Sequence, residues 1–226
     1  MNVLAVDVGG THVKLLASNG AEPRRFVSGL KMTPDAMVSQ AKQLISDWKF
    51  DAVTVGYPGP VATDRIVGEP HNLATGWVGF DFQAAFGCPV KVMNDAAMQA
   101  LGSYNGGKML FLGLGTGLGS TLIVDGTIVP MELAHLPFRK GTFEDYVGER
   151  GLKARGRKKW RAHVEDVVDR LVRALLCDDV VLGGGNARHL DQLPPGCRVG
   201  DNANAFLGGF RAWETTAPKR RRGTVP

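Results

Sequence analysis

Residues 3–17 read VLAVDVGGTHVKLLA, and residues 109–124 read MLFLGLGTGLGSTLIV. In each stretch a glycine-rich turn separates two apolar runs that have the length and composition of β-strands. A strand, a glycine turn and a second strand usually form a β-hairpin, and either stretch alone predicts no more than that. The same pattern in both halves of the chain indicates a duplicated half-domain.

Both turns are also suited to phosphate groups, because glycine allows backbone N–H groups to approach an anion closely. Neither turn has the spacing of a P-loop. Neither is a dinucleotide-binding fingerprint, since a second strand and not a helix follows each turn. Two such turns facing one another would hold a polyphosphate chain from both sides, so the pair indicates phosphoryl transfer.

The composition is that of a globular protein of one large or two small domains, with 226 residues, 44% hydrophobic and 22% charged. No apolar run is long enough to span a membrane, and no signal-peptide pattern is present. We therefore expect a cytoplasmic protein without membrane partners. The cysteines are far apart and form no CxxC pair, so they indicate neither disulfides nor a metal site: Cys88, Cys177 and Cys197.

The net charge of +5 comes from the second half of the chain. Six basic residues lie within 153–161, and four more lie within 217–226, a tail for which we predict disorder. Few aromatic residues and no nucleic-acid-binding motif accompany them, so we expect no nucleic-acid partner. The 153–161 segment is either a solvated face or a rim that attracts an anionic phosphate donor.

Strands and helices alternate in both halves, which is typical of the α/β class. Helices are predicted where apolar residues recur at helical spacing: 34–49, 96–104, about 161–177 and 203–213. Short buried strands are predicted at apolar runs bounded by turn residues: 52–55, 89–93 and 180–182. Residues 131–160 show no clear pattern, and Asn105-Gly106-Gly107 is the predicted boundary between the halves.

Polar side chains that are suited to phosphoryl-transfer chemistry lie close to these strands. Asp95 ends a buried strand, where α/β folds place groups that contact ligands, and its carboxylate can accept the proton of a substrate hydroxyl. The alternative is that Asp95 caps the following helix. Asp7 is either a turn former or a ligand of Mg²⁺ through water. Glu132, His135 and Glu144 can hydrogen-bond a polyol, and their spacing is not a zinc pattern.

Taken together, these motifs resemble those of the ROK family of sugar kinases, within the actin-like ATPase superfamily. The matching segments occur in the family's order: DVGGTHVK (7–14), GYPGPV (56–61), HNLATGW (71–77), ND (94–95), LGTGLG (114–119), ELAH (132–135) and LGGGN (182–186). Residues 108–135 are similar to the polyphosphate glucokinase branch of the family. Most members carry a cysteine-rich zinc loop after the histidine, whereas this chain has GTFE at 141–144, so no zinc is implied.

The resemblance implies a two-lobed actin-like ATPase fold of the ribonuclease H-like type, with a duplicated β-sheet core and an interlobe cleft. One lobe would comprise residues 1–106 and the helix at about 203–213, and the other residues 107–200. The implied reaction transfers a terminal phosphoryl group from ATP or polyphosphate, with Mg²⁺, to the 6-hydroxyl of glucose or a similar hexose. A homodimer is a family expectation. The alternatives are a non-catalytic sugar sensor and a kinase for another hexose, such as an N-acylhexosamine.

The resemblance also implies roles for individual residues, with Asp95 as the general base. The expected sugar ligands are Asn72, Asn94, Asp95, Glu132, His135 and Glu144. The residues expected to hold the phosphate donor are Asp7, Gly9, Gly10, Thr11, Lys14, Gly115, Thr116, Gly117, Gly184 and Gly185. Asp7 would also hold Mg²⁺ through water.

Overall fold

The computed structural model describes residues 1–201 and 203–214. Its strands are β1 (Val3–Val8), β2 (His12–Ala17), β3 (Arg24–Val27), β4 (Ala52–Tyr57), β5 (Val61–Ala62), β6 (Arg65–Ile66), β7 (Val90–Asn94), β8 (Lys108–Leu114), β9 (Leu118–Val124), β10 (Thr127–Met131), β11 (Pro137–Phe138), β12 (Gly141–Thr142), β13 (Asp179–Gly183) and β14 (Cys197–Val199). Its α-helices are α1 (Pro34–Leu44), α2 (Phe82–Phe86), α3 (Asp95–Ser103), α4 (Phe143–Val147), α5 (Glu149–Leu175) and α6 (Asn204–Arg211). Short 3₁₀ turns occupy Leu133–His135 and Ala187–His189.

Two five-stranded sheets repeat the same topology. The first has the strand order β3-β2-β1-β4-β7, and the second has the order β10-β9-β8-β13-β14. In each, three antiparallel strands in chain succession are followed by two parallel strands. The duplicated α/β core that the two glycine turns predict is therefore confirmed.

The central strands of the first sheet are buried on both faces. Every residue of β1 and of β4 is buried, whereas β2 buries only alternate residues. Helix α1 packs its apolar residues, such as Met37, into the core on one face. On the other face the Thr54 hydroxyl donates to the carbonyl of Gly209 in α6, at 2.7 Å. Strands that are covered on both faces have continuous apolar runs and not alternating ones.

Helices α3 and α6 pack so closely that only glycine fits at their crossing. A side chain at Gly102 would lie 1.8 Å from the Asn204 carbonyl oxygen, and one at Gly208 would lie 1.7 Å from the Met98 carbonyl oxygen. The Arg211 guanidinium donates to three carbonyl groups at the end of α3. Helix α6 thus joins the C-terminal part of the described chain to the first sheet. The division into two lobes at residue 106 stays a prediction.

Two helices differ from the sequence prediction. The helix predicted at about 161–177 begins at Glu149, because exposed basic residues in its first turns hide the apolar pattern, and Gly156 interrupts it with a φ of 73°. The helix predicted at 34–49 ends at Leu44. Helix α2 lies in a stretch without a sequence pattern and was not predicted. The tail at 217–226, for which we predict disorder, lies outside the described residues.

Candidate active site

The first glycine turn joins β1 to β2 in a tight hairpin. The Gly9 N–H donates to the His12 carbonyl at 3.0 Å. A side chain at Gly9 would lie 2.9 Å from the His12 carbonyl oxygen, and one at Gly10 would lie 2.9 Å from Asn72 Cβ. Neither glycine has a positive φ. Glycine is therefore required here for space, and Asn72 lies beside Gly10.

Asp7 and Lys14 face each other across the same hairpin. They are register partners, and the Lys14 ammonium donates to Asp7 Oδ2 at 2.9 Å. Asp7 is only 6% exposed, whereas the Lys14 side chain is 44% exposed. A buried carboxylate is costly unless it is paired, and Lys14 supplies that partner next to the glycine turn.

The second glycine turn is held from two directions. The Gly115 carbonyl accepts hydrogen bonds from the Glu149 N–H at 3.0 Å and from Asn186 Nδ2 at 2.9 Å. Gly184 has a φ of 81°, and a side chain there would lie 2.5 Å from the Leu114 carbonyl oxygen. The structure therefore brings the predicted donor residues of the 182–186 motif against those of the turn. The Asn186 side chain holds the second glycine turn in place. The sequence analysis predicted no role for Asn186, although it belongs to the 182–186 motif.

Glu144 lies against the second glycine turn. Its Oε2 accepts from the Leu118 N–H at 3.3 Å, and a side chain at Gly117 would lie 2.2 Å from the same oxygen. Glu144 is in the first turn of α4, which begins with a capping box formed by Thr142 and Asp145. The position of Glu144 is thus fixed beside the expected donor site. Its role as a sugar ligand stays a prediction.

Glu132 and His135 begin and end a 3₁₀ segment that follows β10. Ser120 of β9 holds this segment: its hydroxyl donates to the Met131 carbonyl at 3.0 Å and accepts from the Leu133 N–H at 3.1 Å. The Glu132 and His135 residues themselves are exposed. They are therefore positioned by their backbone and remain open to a ligand. The sequence gives no signal for Ser120 as their support, because it lies in a neighbouring strand.

Asn94 is the N-cap of α3. Its Oδ1 accepts from the N–H groups of Ala96 and Ala97, and its Nδ2 donates to the Gly59 carbonyl at 3.0 Å. The cap is thus Asn94, and Asp95 occupies the first helical position. One N–H of the Asn94 amide remains for a ligand. A cavity of about 410 Å³ between β7 and β10 is lined by Asn94 and Glu132, but by none of the other predicted sugar ligands.

Asp95 lies where the two halves meet. Burial, with the neighbouring Asp7 and Glu132 carboxylates, raises the pKa of Asp95 to about 7, although the hydrogen bond from the Ala96 N–H acts in the opposite direction. The side chain is nevertheless not sealed from solvent, because the residue is half-buried. A partly exposed carboxyl group with a pKa near neutrality can exchange a proton with a substrate hydroxyl.

The amino-acid sequence also matches a known family. A model of the ROK family matches residues 3–130. The chain belongs to the ROK family. Polyphosphate glucokinase of Mycobacterium tuberculosis is 27% identical to it over 213 residues, which cover 84% of this chain and 80% of that protein. Glucokinase of Pyrobaculum calidifontis is 29% identical over 134 residues, which cover 56% of this chain and 44% of that protein.

Solved structures of ROK proteins share the fold. The inorganic polyphosphate/ATP-glucomannokinase from Arthrobacter sp. strain KM superposes with a TM-score of 0.77 at 22% identity, covering 92% of this chain and 96% of that one. A ROK family glucokinase from Streptomyces griseus, in complex with glucose and AMPPNP, superposes with a TM-score of 0.71 at 15% identity, covering 92% and 98%. The two-lobed actin-like ATPase fold expected for this ROK chain is confirmed.

The residues present are suited to Mg²⁺ that binds together with a donor. Among residues 1–201 and 203–214, no three His, Cys, Asp or Glu side chains are grouped so that they alone form a metal site. Mg²⁺ usually keeps several waters and takes one or two carboxylates plus substrate phosphates, and Asp7 beside the first turn fits that pattern.

In the same described ranges, no helix has the length and apolar character needed to cross a bilayer.

Proposed function

We propose that this ROK protein is a sugar kinase that transfers the terminal phosphoryl group of ATP or polyphosphate to the 6-hydroxyl of glucose or a similar hexose. The observation that carries the proposal is the environment of Asp95. This carboxyl group begins α3, and burial together with the carboxylates of Asp7 and Glu132 raises its pKa to about 7. The names of the relatives, polyphosphate glucokinase and glucokinase, support the same reaction class.

The acceptor sugar would bind among the side chains on the Asp95 side of the cleft. Asn94 and Glu132 line one cavity, which gives them access to a single bound hexose. Asn72, His135 and Glu144 complete the proposed set of sugar ligands. Hydroxyl groups both donate and accept hydrogen bonds, and carboxylate, amide and imidazole groups together meet both needs.

The phosphate donor would lie across the two glycine turns. Backbone N–H groups of the first turn and of the second turn would bind its terminal phosphates, with the Thr11 and Thr116 hydroxyls adding donors. Lys14 would add a positive charge at the first turn, and the Gly184-Gly185 backbone would contact the rest of the donor. When bound, Mg²⁺ neutralises charge on the donor phosphates, and Asp7 would hold it through water.

Asp95 would act on the proton of the acceptor. Phosphoryl transfer passes through a loose transition state, so most of the catalysis comes from positioning the sugar hydroxyl in line with the donor and from stabilising charge. The ionised Asp95 orients that hydroxyl and accepts its proton as the new O–P bond forms; the bridging O–P bond of the donor breaks, and the donor leaves one phosphoryl group shorter. A positioned base contributes roughly 10²–10⁴-fold to the rate.

The test is formation of glucose 6-phosphate by the purified protein with Mg²⁺, with ATP and polyphosphate supplied in parallel. Glucose, mannose and an N-acylhexosamine are compared as acceptors. We expect turnover with glucose, and we expect Asp95→Asn to reduce kcat by roughly 10²-fold or more while glucose binding is kept. Binding of sugar without turnover for any donor or acceptor would instead identify a non-catalytic sugar-binding protein.

A further inference from the structure

A group of basic side chains meets where α5 packs against the 3₁₀ turn Ala187–His189. The Arg161 Nε donates to the His189 carbonyl at 2.7 Å. Arg188 lies in the same turn, with its Nε 3.5 Å from His189 Nε2. Burial lowers the pKa of His189, and the positive charges of Arg157, Arg188 and Arg161 lower it further. Like charges that converge in this way create a strongly positive local potential.

Most of this charge is not neutralised by the protein. Arg161 forms an ion pair with Asp191. Within the described part of the chain, none of the ion pairs involves Arg157, Lys158 or Arg188, and all three residues are exposed. Gly156 interrupts α5 immediately before Arg157, so the N–H groups of a new helical segment add to the positive potential.

The two segments that carry these basic side chains each begin beside the second glycine turn. Helix α5 begins at Glu149, whose N–H donates to the Gly115 carbonyl, and Asn186, two residues before Arg188, donates to the same carbonyl. Arg188 follows Asn186 by two positions, so their backbones are at most about 7 Å apart. A donor whose terminal phosphate lies in the glycine turns therefore reaches the basic surface if it is a chain of several phosphates.

We infer that the basic surface formed by Arg157, Arg161 and Arg188 binds the distal phosphates of an inorganic polyphosphate donor. The inference rests on the proposed function and selects its donor. Polyphosphate carries negative charge along its whole length, so each added phosphate meets a further cation. ATP ends in a nucleoside at the corresponding distance and gains nothing from this surface. Of the basic residues in the 153–161 segment, Arg157 and Arg161 are thus assigned to the donor rim.

The inference is tested by the double variant Arg157→Ala/Arg188→Ala. The matched control is Lys159→Ala, because Lys159 lies two residues from Arg157 and about 200° around the helix axis. For the double variant we expect the KM for long-chain polyphosphate to rise by roughly tenfold, as charge-assisted contacts are lost. The KM values for ATP and for tripolyphosphate should change by less than about twofold, since bonds at the turns remain. Added salt should weaken long-chain binding more in the wild type than in the double variant.

Direct binding separates this inference from the proposed function. Long-chain polyphosphate is titrated into wild type, the double variant and Lys159→Ala without sugar, and single-stranded DNA is titrated as a second polyanion. Tighter polyphosphate binding by wild type and Lys159→Ala than by the double variant supports the inference, even if no sugar is phosphorylated. Equal binding by all three proteins, or equal affinity for DNA, would overturn it, even if ATP-dependent sugar phosphorylation is observed.

Discussion

At the scale of single residues, Asp95 sets the expected pH dependence of the reaction. Burial, Asp7 and Glu132 raise its pKa to about 7, and a general base must be ionised to accept a proton. The kcat/KM for glucose should therefore fall as the pH drops below neutrality, with an acidic limb near pH 7. The measurement is a pH–rate profile of the free enzyme at low glucose concentration. Full activity at pH 5, with a limb near the ordinary pKa of aspartate, would contradict this expectation.

The same residue should lower the stability of the folded protein at neutral pH. The folded state raises the pKa from 3.8 to about 7, so it binds the proton more tightly than the unfolded state does. Below about pH 4 the carboxyl group is protonated in both states, and the free energy of unfolding is not reduced. As the pH rises from 4 to 7, the unfolded state releases the proton first, so the free energy of unfolding decreases until the pH passes 7. Asp95→Asn retains an oxygen to accept from the Ala96 N–H and removes the charge.

We expect Asp95→Asn to be more stable than wild type at pH 8, by about 1–3 kcal/mol, with the difference disappearing near pH 4. Urea unfolding at both pH values measures it. The low-pH comparison is the internal control, because a stabilisation that is independent of pH would not come from the carboxylate charge. A variant less stable than wild type at pH 8 would show that Asp95 is favoured in its charged form.

The sequence predicts the place of the site residues better than their contacts. Asp95 follows a buried strand and lies next to a helix, as its neighbours in the sequence indicate. Asn and Asp are both common N-cap residues, so the sequence does not show which of Asn94 and Asp95 caps α3. The backbone geometry decides for Asn94. The bond from Asn94 to Gly59 joins residues 35 apart in the sequence, and no local pattern encodes it. Likewise, Gly9 and Gly10 are recognisable as a turn, but their steric role requires the position of Asn72.

At the scale of elements, α4 is held in place by α5. The Arg155 guanidinium donates to the Asp145 carbonyl at 3.0 Å and lies over the Tyr146 ring, 3.9 Å from its centroid. The Trp160 indole N–H donates to the Val147 carbonyl at 2.8 Å. These contacts fix the short helix that carries Glu144. They could not be predicted, because residues 131–160 combine basic side chains with short elements and show no periodicity.

Replacing Arg155 should disturb the proposed sugar site through α4. In Arg155→Ala, α4 loses a hydrogen bond and a cation–π contact, so Glu144 becomes less ordered; we expect the KM for glucose to rise by roughly fivefold with a smaller change in kcat. The control is Arg173→Ala, since the Arg173 side chain is 78% exposed and pairs with Asp169 within α5 and not with a residue of α4. Steady-state kinetics on both variants measure the difference. Equal effects in the two variants would show that Arg155 does not position Glu144.

At the scale of the whole molecule, α3 and α6 connect the two halves. Helix α3 begins with Asp95 and contacts β8 and β9 of the second sheet, while α6 covers β1 and β4 of the first. The repeated glycine turns predict the duplication of the sheets, because each copy keeps its own local pattern. They do not predict how the copies are joined. That information lies in small residues such as Gly102 and Gly208, whose importance depends on a contact between distant segments.

Gly208→Ala should therefore destabilise the whole fold. An added Cβ would lie 1.7 Å from the Met98 carbonyl oxygen and 2.9 Å from the Gly102 nitrogen, and backbone atoms cannot turn away as a flexible side chain can. Helix α6 must move from α3, at a cost of about 2–3 kcal/mol, which lowers Tm by roughly 5–10 °C for a chain of this length. Thermal unfolding measures the loss, with Leu207→Ala, at a 38% exposed neighbour on α6, as the control.

Because α3 begins with Asp95, kcat of the Gly208→Ala variant should fall as well, even at temperatures where the variant is folded. A variant that melts with the wild type would show that α3 and α6 separate easily, and that the position of Asp95 does not depend on their contact.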